Sequence, residues 1–375
     1  MINQFSIHNF KCFQNLELEL SSLNLLSGLN GMGKSTVLQS LLLLRQSHKH
    51  REDIRLNGDL VELGYPQDAF YENNTDDIMR LELNVSNNAI LKWEYDFDAS
   101  EDIFKPRSTP NSSYLENVAL FNERFHYISA DRWGPRVWVP LADHDIRHGN
   151  LGKNSEYTIH YLVELGDKPL PNPEIPHKDD SKSDLLTQAK AWLDEICPGT
   201  QLDVEAIKEA DIGKAVFSFK VDYGITRNFR PTNVGFGLSY TLPVIVALLS
   251  LPKGGLVLLE NPEAHLHPRG QTLMGKLMAQ VAAAGVQVIV ETHSDHVLDG
   301  IRVAVRDPDY LLQPEQTRFH YFGRESGQIK VTTPKIDEEG SLDNWPAGFF
   351  DESIHNLAAL SSRSQRERIK AKEII

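Results

Sequence analysis

The feature that most constrains this chain is a glycine-rich segment close to its start. Residues 28–36 read Gly-Leu-Asn-Gly-Met-Gly-Lys-Ser-Thr, and they match the phosphate-loop pattern Gly-x-x-x-x-Gly-Lys-Ser/Thr. An apolar run precedes the match, and apolar residues at helical spacing follow it through residue 44. A buried strand, a tight turn and a helix are therefore predicted. This order favours an α/β domain that binds a nucleotide over a glycine-rich turn without a ligand.

The residue types in this loop suit a bound triphosphate. We expect Gly28, Gly31 and Gly33 to adopt positive φ, so that successive N–H groups converge on phosphate oxygens at a helix N-terminus. Lys34 is predicted to reach the β- and γ-phosphates, and Ser35 to ligate Mg²⁺. The predicted nucleotide-binding residues of the loop are Asn30, Gly31, Gly33, Lys34, Ser35 and Thr36.

Bulk composition sets wide limits on the function. The 375 residues suffice for one large α/β domain or two smaller ones. The formal net charge of −14 gives no global electrostatic footprint for nucleic acid, although a local patch is still able to bind DNA. Cys12 and Cys197 match no metal or redox spacing. With neither a leader-like N-terminus nor an apolar run of membrane-spanning length, we expect a cytoplasmic protein without membrane contact.

The segment before the phosphate loop carries a family resemblance. Residues 2–27 are predicted to form strands, and residues 16–20 alternate strictly between apolar and acidic side chains. With the opening Ile-His-Asn-Phe-Lys-Cys-Phe of residues 7–13, this resembles the start of ABC-type ATPases of the SMC, RecF and OLD group. The resemblance implies adenine contacts by Lys11 and Phe13, and a Mg²⁺- and γ-phosphate-sensing role for Gln67.

The middle of the chain is less diagnostic. A hairpin is predicted over residues 79–97 and a polar loop over 98–113. An apolar strand at 125–128 then runs into Ser-Ala-Asp-Arg-Trp-Gly-Pro, a second point of resemblance, in which Asp131 and Arg132 either pair or line the site. Further along, we predict a proline-rich mobile loop at 166–184, a helix at 183–196, and strands near 202–209 and 215–222.

A second glycine-rich segment, residues 233–240, precedes an apolar helix, with Pro243 expected in its first turn. It resembles the ABC signature, although Tyr240 stands where glutamine or glutamate is usual. The resemblance implies that Gly235, Gly237 and Ser239 cap a nucleotide held by the partner subunit of a homodimer. The alternative is a glycine-rich turn in front of a core helix.

Residues 255–268 resemble the Walker B strand and following loop of OLD-like ATPases. Four apolar residues end in Glu260, which a buried parallel strand would deliver to the Mg²⁺ shell. Asn261 occupies the position that normally holds the catalytic glutamate, and an amide cannot accept a proton from water. Either Glu263 supplies the base, or hydrolysis is slow and ATP acts mainly as a dimer clamp; we favour slow hydrolysis assisted by Glu263.

The last third contains the stretch 286–295, which reads as a core strand ending in a histidine, and the resemblance assigns His293 as the switch histidine at the γ-phosphate. A hairpin is predicted at 317–333. Residues 340–352 resemble the Trp-Pro-x-Gly-Phe-Phe-Asp tail of short, stand-alone bacterial OLD/SMC-like ATPases, and its aromatic residues either pack on the core or dock a partner. The 82 residues after His293 leave no room for the Toprim nuclease of full OLD proteins.

Together these features predict an α/β P-loop NTPase of ABC type, with a mixed central sheet, helices on both faces, an antiparallel β subdomain and a helical/β insertion. The expected parts are an N-terminal lobe (1–130), the insertion (131–230), a signature, Walker B and switch lobe (231–335) and a tail (336–375).

The expected activity is hydrolysis of ATP with Mg²⁺, and the predicted partners are a second copy or higher oligomer and a separately encoded effector such as a nuclease. The predicted role is the nucleotide switch of a bacterial anti-phage or toxin-like system; the alternative is an SMC/RecF-like clamp on DNA.

Overall fold

The computed structural model describes residues 1–48, 54–86, 89–98, 104–177 and 182–361. The strands are β1 (Ile2–Phe10), β2 (Phe13–Glu19), β3 (Leu23–Gly28), β4 (Ile78–Val85), β5 (Ala89–Asp96), β6 (Lys105–Ser108), β7 (Phe125–Ile128), β8 (Val139–Pro140), β9 (Thr200–Ile207), β10 (Ile212–Val221), β11 (Gly224–Ile225), β12 (Leu256–Glu260), β13 (Gln287–Glu291), β14 (Thr317–Glu325) and β15 (Gln328–Thr332). The helices are α1 (Lys34–Ser47), α2 (Pro66–Ala69), α3 (Ser112–Leu115), α4 (Asp143–Arg147), α5 (Thr158–Leu165), α6 (Leu185–Ile196), α7 (Phe236–Leu249), α8 (Pro268–Ala283), α9 (Asp295–Arg306) and α10 (Glu352–Ser361).

A six-stranded sheet in the order β15-β14-β3-β13-β12-β7 forms the centre of the molecule. The strands from β14 to β7 run parallel, whereas β15 is antiparallel to β14 at the edge. The apolar runs of β12 and β13 are buried on both faces, as parallel strands require. The mixed α/β fold class predicted from the sequence is confirmed.

Each face of this sheet contributes to a different apolar cluster, because successive side chains of a strand point to opposite sides. One face packs against α5 to α9, and its members include Leu25, Val257, Leu259, Val288 and Val290. The other face packs against α1 and the N-terminal sheet, and its members include Leu26, Leu256, Leu258, Ile289 and Phe322. The strand that carries the phosphate loop is thus held between two cores.

Two further sheets flank the centre. Strands β2-β1-β4-β5-β6 form an antiparallel sheet, with alternating burial along β2 and β4 that matches the predicted pattern. Strands β8 to β11 form a small antiparallel sheet near α5. These are the antiparallel subdomain and the β portion of the insertion; the four-part division of the chain stays a prediction.

Most predicted elements are present, with three corrections. The loop predicted at 98–113 contains the short strand β6, which pairs with β5. The strands predicted at 202–209 and 215–222 begin two and three residues earlier. Pro243 does not lie in the first turn of its helix: α7 begins at Phe236, because Gly235 caps it, and the proline sits in the helix interior.

The C-terminal aromatic residues answer the question that the sequence left open. Phe349 is completely buried and packs against Tyr321, with ring centroids 5.5 Å apart. Arg302 on α9 stacks over Trp345 at 5.3 Å and donates a hydrogen bond to the Gly340 carbonyl. This part of the tail therefore packs on the core.

Some sequence predictions fall outside the described residues: the basic residues 49–51, the turn residues 87–88, part of the loop at 166–184 and the basic segment 363–372. Within the described ranges, none of the helices combines the length and the apolar character needed to cross a membrane.

Candidate nucleotide-binding site

The glycine-rich turn between β3 and α1 has the predicted backbone conformation. Gly28, Gly31 and Gly33 have φ values of 134°, 75° and 89°, which confirms the predicted positive φ. A Cβ on Gly28 would lie 2.2 Å from the carbonyl oxygen of Phe322 on the adjacent strand. Because that oxygen belongs to a sheet backbone that cannot move aside, only glycine fits at the exit of β3.

Lys34 begins α1 and lies inside this turn. Its Nζ donates hydrogen bonds of 2.9 Å to the carbonyls of Gly28 and Leu29. Burial lowers the pKa of the Lys34 ammonium, while Glu291, whose carboxylate is 3.9 Å away, raises it. The loop therefore holds a cation at a helix N-terminus, where anionic phosphates are also favoured.

A cavity of about 850 Å³ opens beside the loop, which is within the range of small-molecule sites. Lys11 and Gln67 both line it, and the Lys11 Nζ donates a 2.7 Å hydrogen bond to Gln39. Phe13 is buried against Gly33. The cavity is lined by Lys11, Cys12, Asn30, Gly31, Met32, Gly33, Lys34, Ser35, Thr36, Gln39, Gln67, Asp68, Phe70, Tyr71, Glu72, Asn74, Phe97 and Glu291.

Two carboxylates stand side by side at the carboxyl edge of the sheet. Glu260 ends β12, Glu291 ends β13, and the two residues are in register. The Ser35 hydroxyl donates a 3.0 Å hydrogen bond to Glu291, not to Glu260. Glu260 instead accepts hydrogen bonds from the Tyr127 hydroxyl at 3.1 Å and the Ala130 N–H at 3.0 Å.

Glu291 was not assigned a role from the sequence. It is only 6 % exposed, and its Oε2 has no hydrogen-bond partner. Burial raises its pKa and repulsion from Glu260 and Glu263 adds to the effect, while the Ser35 hydroxyl and the Lys34 ammonium lower it. An orphaned carboxylate oxygen beside a serine hydroxyl is the hard oxygen donor set that Mg²⁺ prefers, so these residues fit the ion that accompanies a nucleotide. The described residues contain no group of three His, Cys, Asp or Glu side chains placed to hold a metal.

The loop after β12 is tied to the end of β13. The Asn261 N–H donates to the Glu291 carbonyl at 2.9 Å. Glu263 Oε1 accepts a 2.9 Å hydrogen bond from the His293 N–H, and its Oε2 has no partner. Burial of the ring, followed by repulsion from Lys34, lowers the pKa of His293, while Glu263 raises it. The structure thus brings Glu260, Glu263, Glu291 and His293 to one edge of the sheet, and of these four residues Glu291 lines the cavity beside the phosphate loop, whereas the other three do not.

Arg132 connects this edge to α7. The guanidinium is 2 % exposed and does not pair with Asp131, one of the two possibilities left by the sequence. It donates to the carbonyls of Tyr240, Glu260 and Asn261 at 2.7–2.9 Å, and also to Ser129. A single buried cation therefore fixes the backbones of β12, the loop after it and α7 relative to one another.

The second glycine-rich segment lies apart from the cavity. Gly235, Gly237 and Ser239 are not among its lining residues. Gly235 caps α7, and a Cβ on Gly237 would lie 2.8 Å from the His265 carbonyl oxygen. Phe236, between the two glycines, is 56 % exposed. This segment therefore does not line the cavity beside the phosphate loop of its own chain.

The fold and the phosphate loop define the class of protein as a P-loop ATPase domain. The family model described as "AAA domain, putative AbiEii toxin, Type IV TA system" matches residues 23–299, and the chain belongs to this family. A second model, "Protein of unknown function (DUF3696)", matches residues 312–360. No curated protein matches the chain.

Among solved structures, the chain is similar to SMC head domains. The SMC head domain from Thermotoga maritima has 10 % sequence identity and a TM-score of 0.48, over 90 % of this chain and 100 % of that one. An SMC head bound to the C-winged helix domain of ScpA has 12 % identity and a TM-score of 0.49, over 89 % and 98 % of the two chains. An SMC head with an extended coiled coil bound to the C-terminal domain of ScpA, from Pyrococcus furiosus, has 11 % identity and a TM-score of 0.48, over 96 % and 99 %.

Proposed function

We propose that this protein binds ATP with Mg²⁺ and hydrolyses it slowly, as an ABC-type nucleotide switch. The observation that carries the proposal is the buried Lys34 at the N-terminus of α1, beside Ser35 in a cavity of about 850 Å³. Membership in an AAA domain family supports the same activity.

In this proposal the residues of the loop act mainly by electrostatics. The N–H groups at the start of α1 and the Lys34 ammonium hold the β- and γ-phosphates and stabilise the charge that develops on the transferred phosphoryl group. Ser35 and the neighbouring carboxylates would hold Mg²⁺, which would supply positive charge against the phosphates. Lys11 borders the base, and Gln67 reaches the metal side of the cavity.

Glu263 is the proposed general base. Asn261 is unable to accept a proton, whereas Glu263 has one carboxylate oxygen held by the His293 N–H and the other without a partner. A base needs such a free oxygen within reach of the water whose proton it accepts. His293 lies two residues after the end of β13 and is the proposed γ-phosphate contact.

We further propose that the active form is a homodimer. Gly235, Gly237 and Ser239 are absent from the lining of the cavity in their own chain, so they remain available to cap a nucleotide held by a second copy. The exposed Phe236 beside them is a side chain that association would cover.

The proposed biological role is the switch subunit of a bacterial anti-phage or toxin-like system that acts with a separately encoded effector. The description of the family, which refers to a toxin of a toxin–antitoxin system, supports this role. A tagged chain purified from cells that carry its neighbouring genes is expected to retain a second protein. A chain that protects cells by itself, without any retained protein, would contradict the role.

The first experiment measures ATP turnover and oligomeric mass, with and without ATP, for wild type, two site variants and one control variant. Lys34→Ala is expected to lower turnover at least a hundredfold, because the phosphoryl charge loses its main cation. The matched control is Lys208→Ala, whose ammonium is 73 % exposed and pairs with Glu164. Glu263→Gln is expected to slow turnover and to retain an ATP-bound dimer.

Three results would each overturn a part of the proposal. Turnover by Lys34→Ala at the rate of the Lys208→Ala control would show that the loop is not the site of hydrolysis. Normal turnover by Glu263→Gln would remove Glu263 as the base, and an unchanged mass with ATP would remove the dimer.

A further inference from the structure

The serine of the phosphate loop is engaged by a carboxylate that the motif pattern does not identify. Ser35 donates its hydroxyl proton to Glu291 Oε1 at 3.0 Å. The pattern instead assigned the metal-side carboxylate to Glu260, the last residue of the Walker B strand. The contact with Ser35 therefore raises the question of which glutamate serves the metal.

Sheet order explains why Glu291 reaches the serine first. Strand β13 lies between β3, which leads into the phosphate loop, and β12. Glu291 is in register with Leu26 on β3, two residues before the loop begins at Gly28, and with Glu260 on its other side. Because neighbouring strands are separated by about 4.8 Å, Glu260 starts one strand spacing farther from the loop.

Glu260 makes its hydrogen bonds to groups other than Ser35. Both of its carboxylate oxygens accept hydrogen bonds, one from the Tyr127 hydroxyl and the other from the Ala130 N–H. Glu291, in contrast, has one oxygen on Ser35 and the other buried without a partner. A buried carboxylate oxygen without a donor is costly, and a cation is what removes that cost.

We propose that Glu291, which accepts the Ser35 hydrogen bond, is the principal carboxylate that would hold Mg²⁺, and that Glu260 has a supporting position. This inference rests on the proposed nucleotide function. A serine that gives a lone pair to Mg²⁺ keeps its O–H free to donate, so the observed Ser35–Glu291 hydrogen bond is compatible with a bound ion. The Lys34 ammonium, which donates hydrogen bonds to the Gly28 and Leu29 carbonyls, lies 3.9 Å from the same carboxylate, so without a metal it supplies the nearest positive charge to Glu291.

The test measures the affinity of the fluorescent nucleotide mant-ATP in Mg²⁺ and in EDTA, without reference to turnover. The ratio of the two Kd values is the metal-dependent gain. Glu291→Gln is expected to reduce that gain at least tenfold relative to wild type, the size of effect seen when a metal-site partner is removed. Glu260→Gln is expected to reduce it less than Glu291→Gln does.

A double-mutant cycle makes the assignment specific to Ser35. The double variant Ser35→Ala/Glu291→Gln is expected to lose little more of the metal-dependent gain than Glu291→Gln alone, because Ser35 and Glu291 act on the metal as a hydrogen-bonded pair. Ser35→Ala combined with Glu260→Gln is expected to lose the product of the two single effects. Glu325→Gln, an exposed change on β14 of the same sheet, is the control for an unrelated loss of charge.

The glutamine variant is close in shape to Glu291, and melting curves in EDTA identify any variant that fails to fold. The inference about Glu291 is overturned if Glu291→Gln leaves the metal-dependent gain unchanged, or if Glu260→Gln reduces the gain more strongly than Glu291→Gln does. Either result leaves the proposed nucleotide function standing. Absence of mant-ATP binding by wild type in both Mg²⁺ and EDTA overturns the proposed function as well. If Glu291→Gln fails to fold, the double-mutant cycle of Ser35→Ala and Glu260→Gln tests the assignment instead. Independent effects of these two changes on the metal-dependent gain support Glu291 as the principal carboxylate, and coupled effects overturn it.

Discussion

The backbone conformation of Asn261 bears on why an asparagine stands at the position where a catalytic glutamate is usual. Its φ is 45°, in the left-handed region that asparagine tolerates better than most residues with a side chain. Its N–H and carbonyl are both used, by the Glu291 carbonyl and by Arg132. The conformation gives a structural reason for asparagine here that is independent of chemistry.

We predict that Asn261→Ala lowers the free energy of unfolding by about 1 kcal/mol, because alanine does not stabilise the left-handed conformation. Asn261→Gly should change it by less, since glycine adopts that conformation without a steric penalty. Urea denaturation measures both values. ATP turnover should stay within about twofold in both variants if Glu263 is the base, and a large loss in both would give Asn261 a catalytic role.

Among individual residues, those of the phosphate loop could be predicted from the sequence because the spacing of the glycines reflects a local turn. Gly28, Gly31 and Gly33 have the positive φ values that the pattern requires. Glu291 could not be found in this way, because it reads as the end of an apolar strand before Thr292. Only the register of β13 against β3 brings it to Ser35, and register between distant strands has no local signal.

At the scale of elements, alternation and apolar runs were reliable guides. The hairpin of β4 and β5 and the buried strands β12 and β13 lie where the patterns predicted them. The expectation that Pro243 lies in the first turn of α7 is wrong, because the helix begins at Phe236 and Gly237 lies within its first turn, close to the His265 carbonyl. Pro243 in the interior removes the N–H that would bond to the Ser239 carbonyl, and burial of the surrounding apolar residues keeps the helix continuous.

The docking of the tail onto the core gives a prediction for this scale. Phe349→Ala is expected to lower the free energy of unfolding by about 3–5 kcal/mol, because it removes a fully buried ring that packs on Tyr321. Leu360→Ala, whose side chain is 83 % exposed on α10, is the control and should change it by about 0.5 kcal/mol or less. Equal effects of the two changes in urea denaturation would show that the tail does not contribute to the core.

At the scale of the whole molecule, buried histidines should make stability depend on pH. Burial, with a smaller contribution from Arg45, lowers the pKa of His126 to about 3, and burial lowers that of His320 to about 4. An unfolded histidine binds its proton near pH 6.5, so between these values the unfolded state binds more protons. Stability is therefore expected to fall as the pH drops below 6.5; the raised pKa of Glu291 acts in the opposite direction.

We predict that His126 alone accounts for roughly 2 kcal/mol of the stability lost between pH 7.5 and pH 5. His126→Gln should therefore show a shallower dependence than wild type over that range, as measured by urea denaturation at each pH. The Ser250 hydroxyl, 2.9 Å from the ring, retains the Val246 carbonyl as a partner in the variant. Parallel curves for the two proteins would mean that His126 is already protonated in the folded state.

The position of β3 in the sheet has a consequence for synthesis on the ribosome. Its two neighbours, β13 and β14, are translated about 260 and 290 residues after the phosphate loop. At 5–20 residues per second, that interval is on the order of 15 to 60 s. During this time the nascent chain carries an apolar strand with both edges unpaired, which exposes it to aggregation and to chaperones. The sheet that carries the nucleotide site is thus completed only after β13 and β14 have been made, long after the phosphate loop itself.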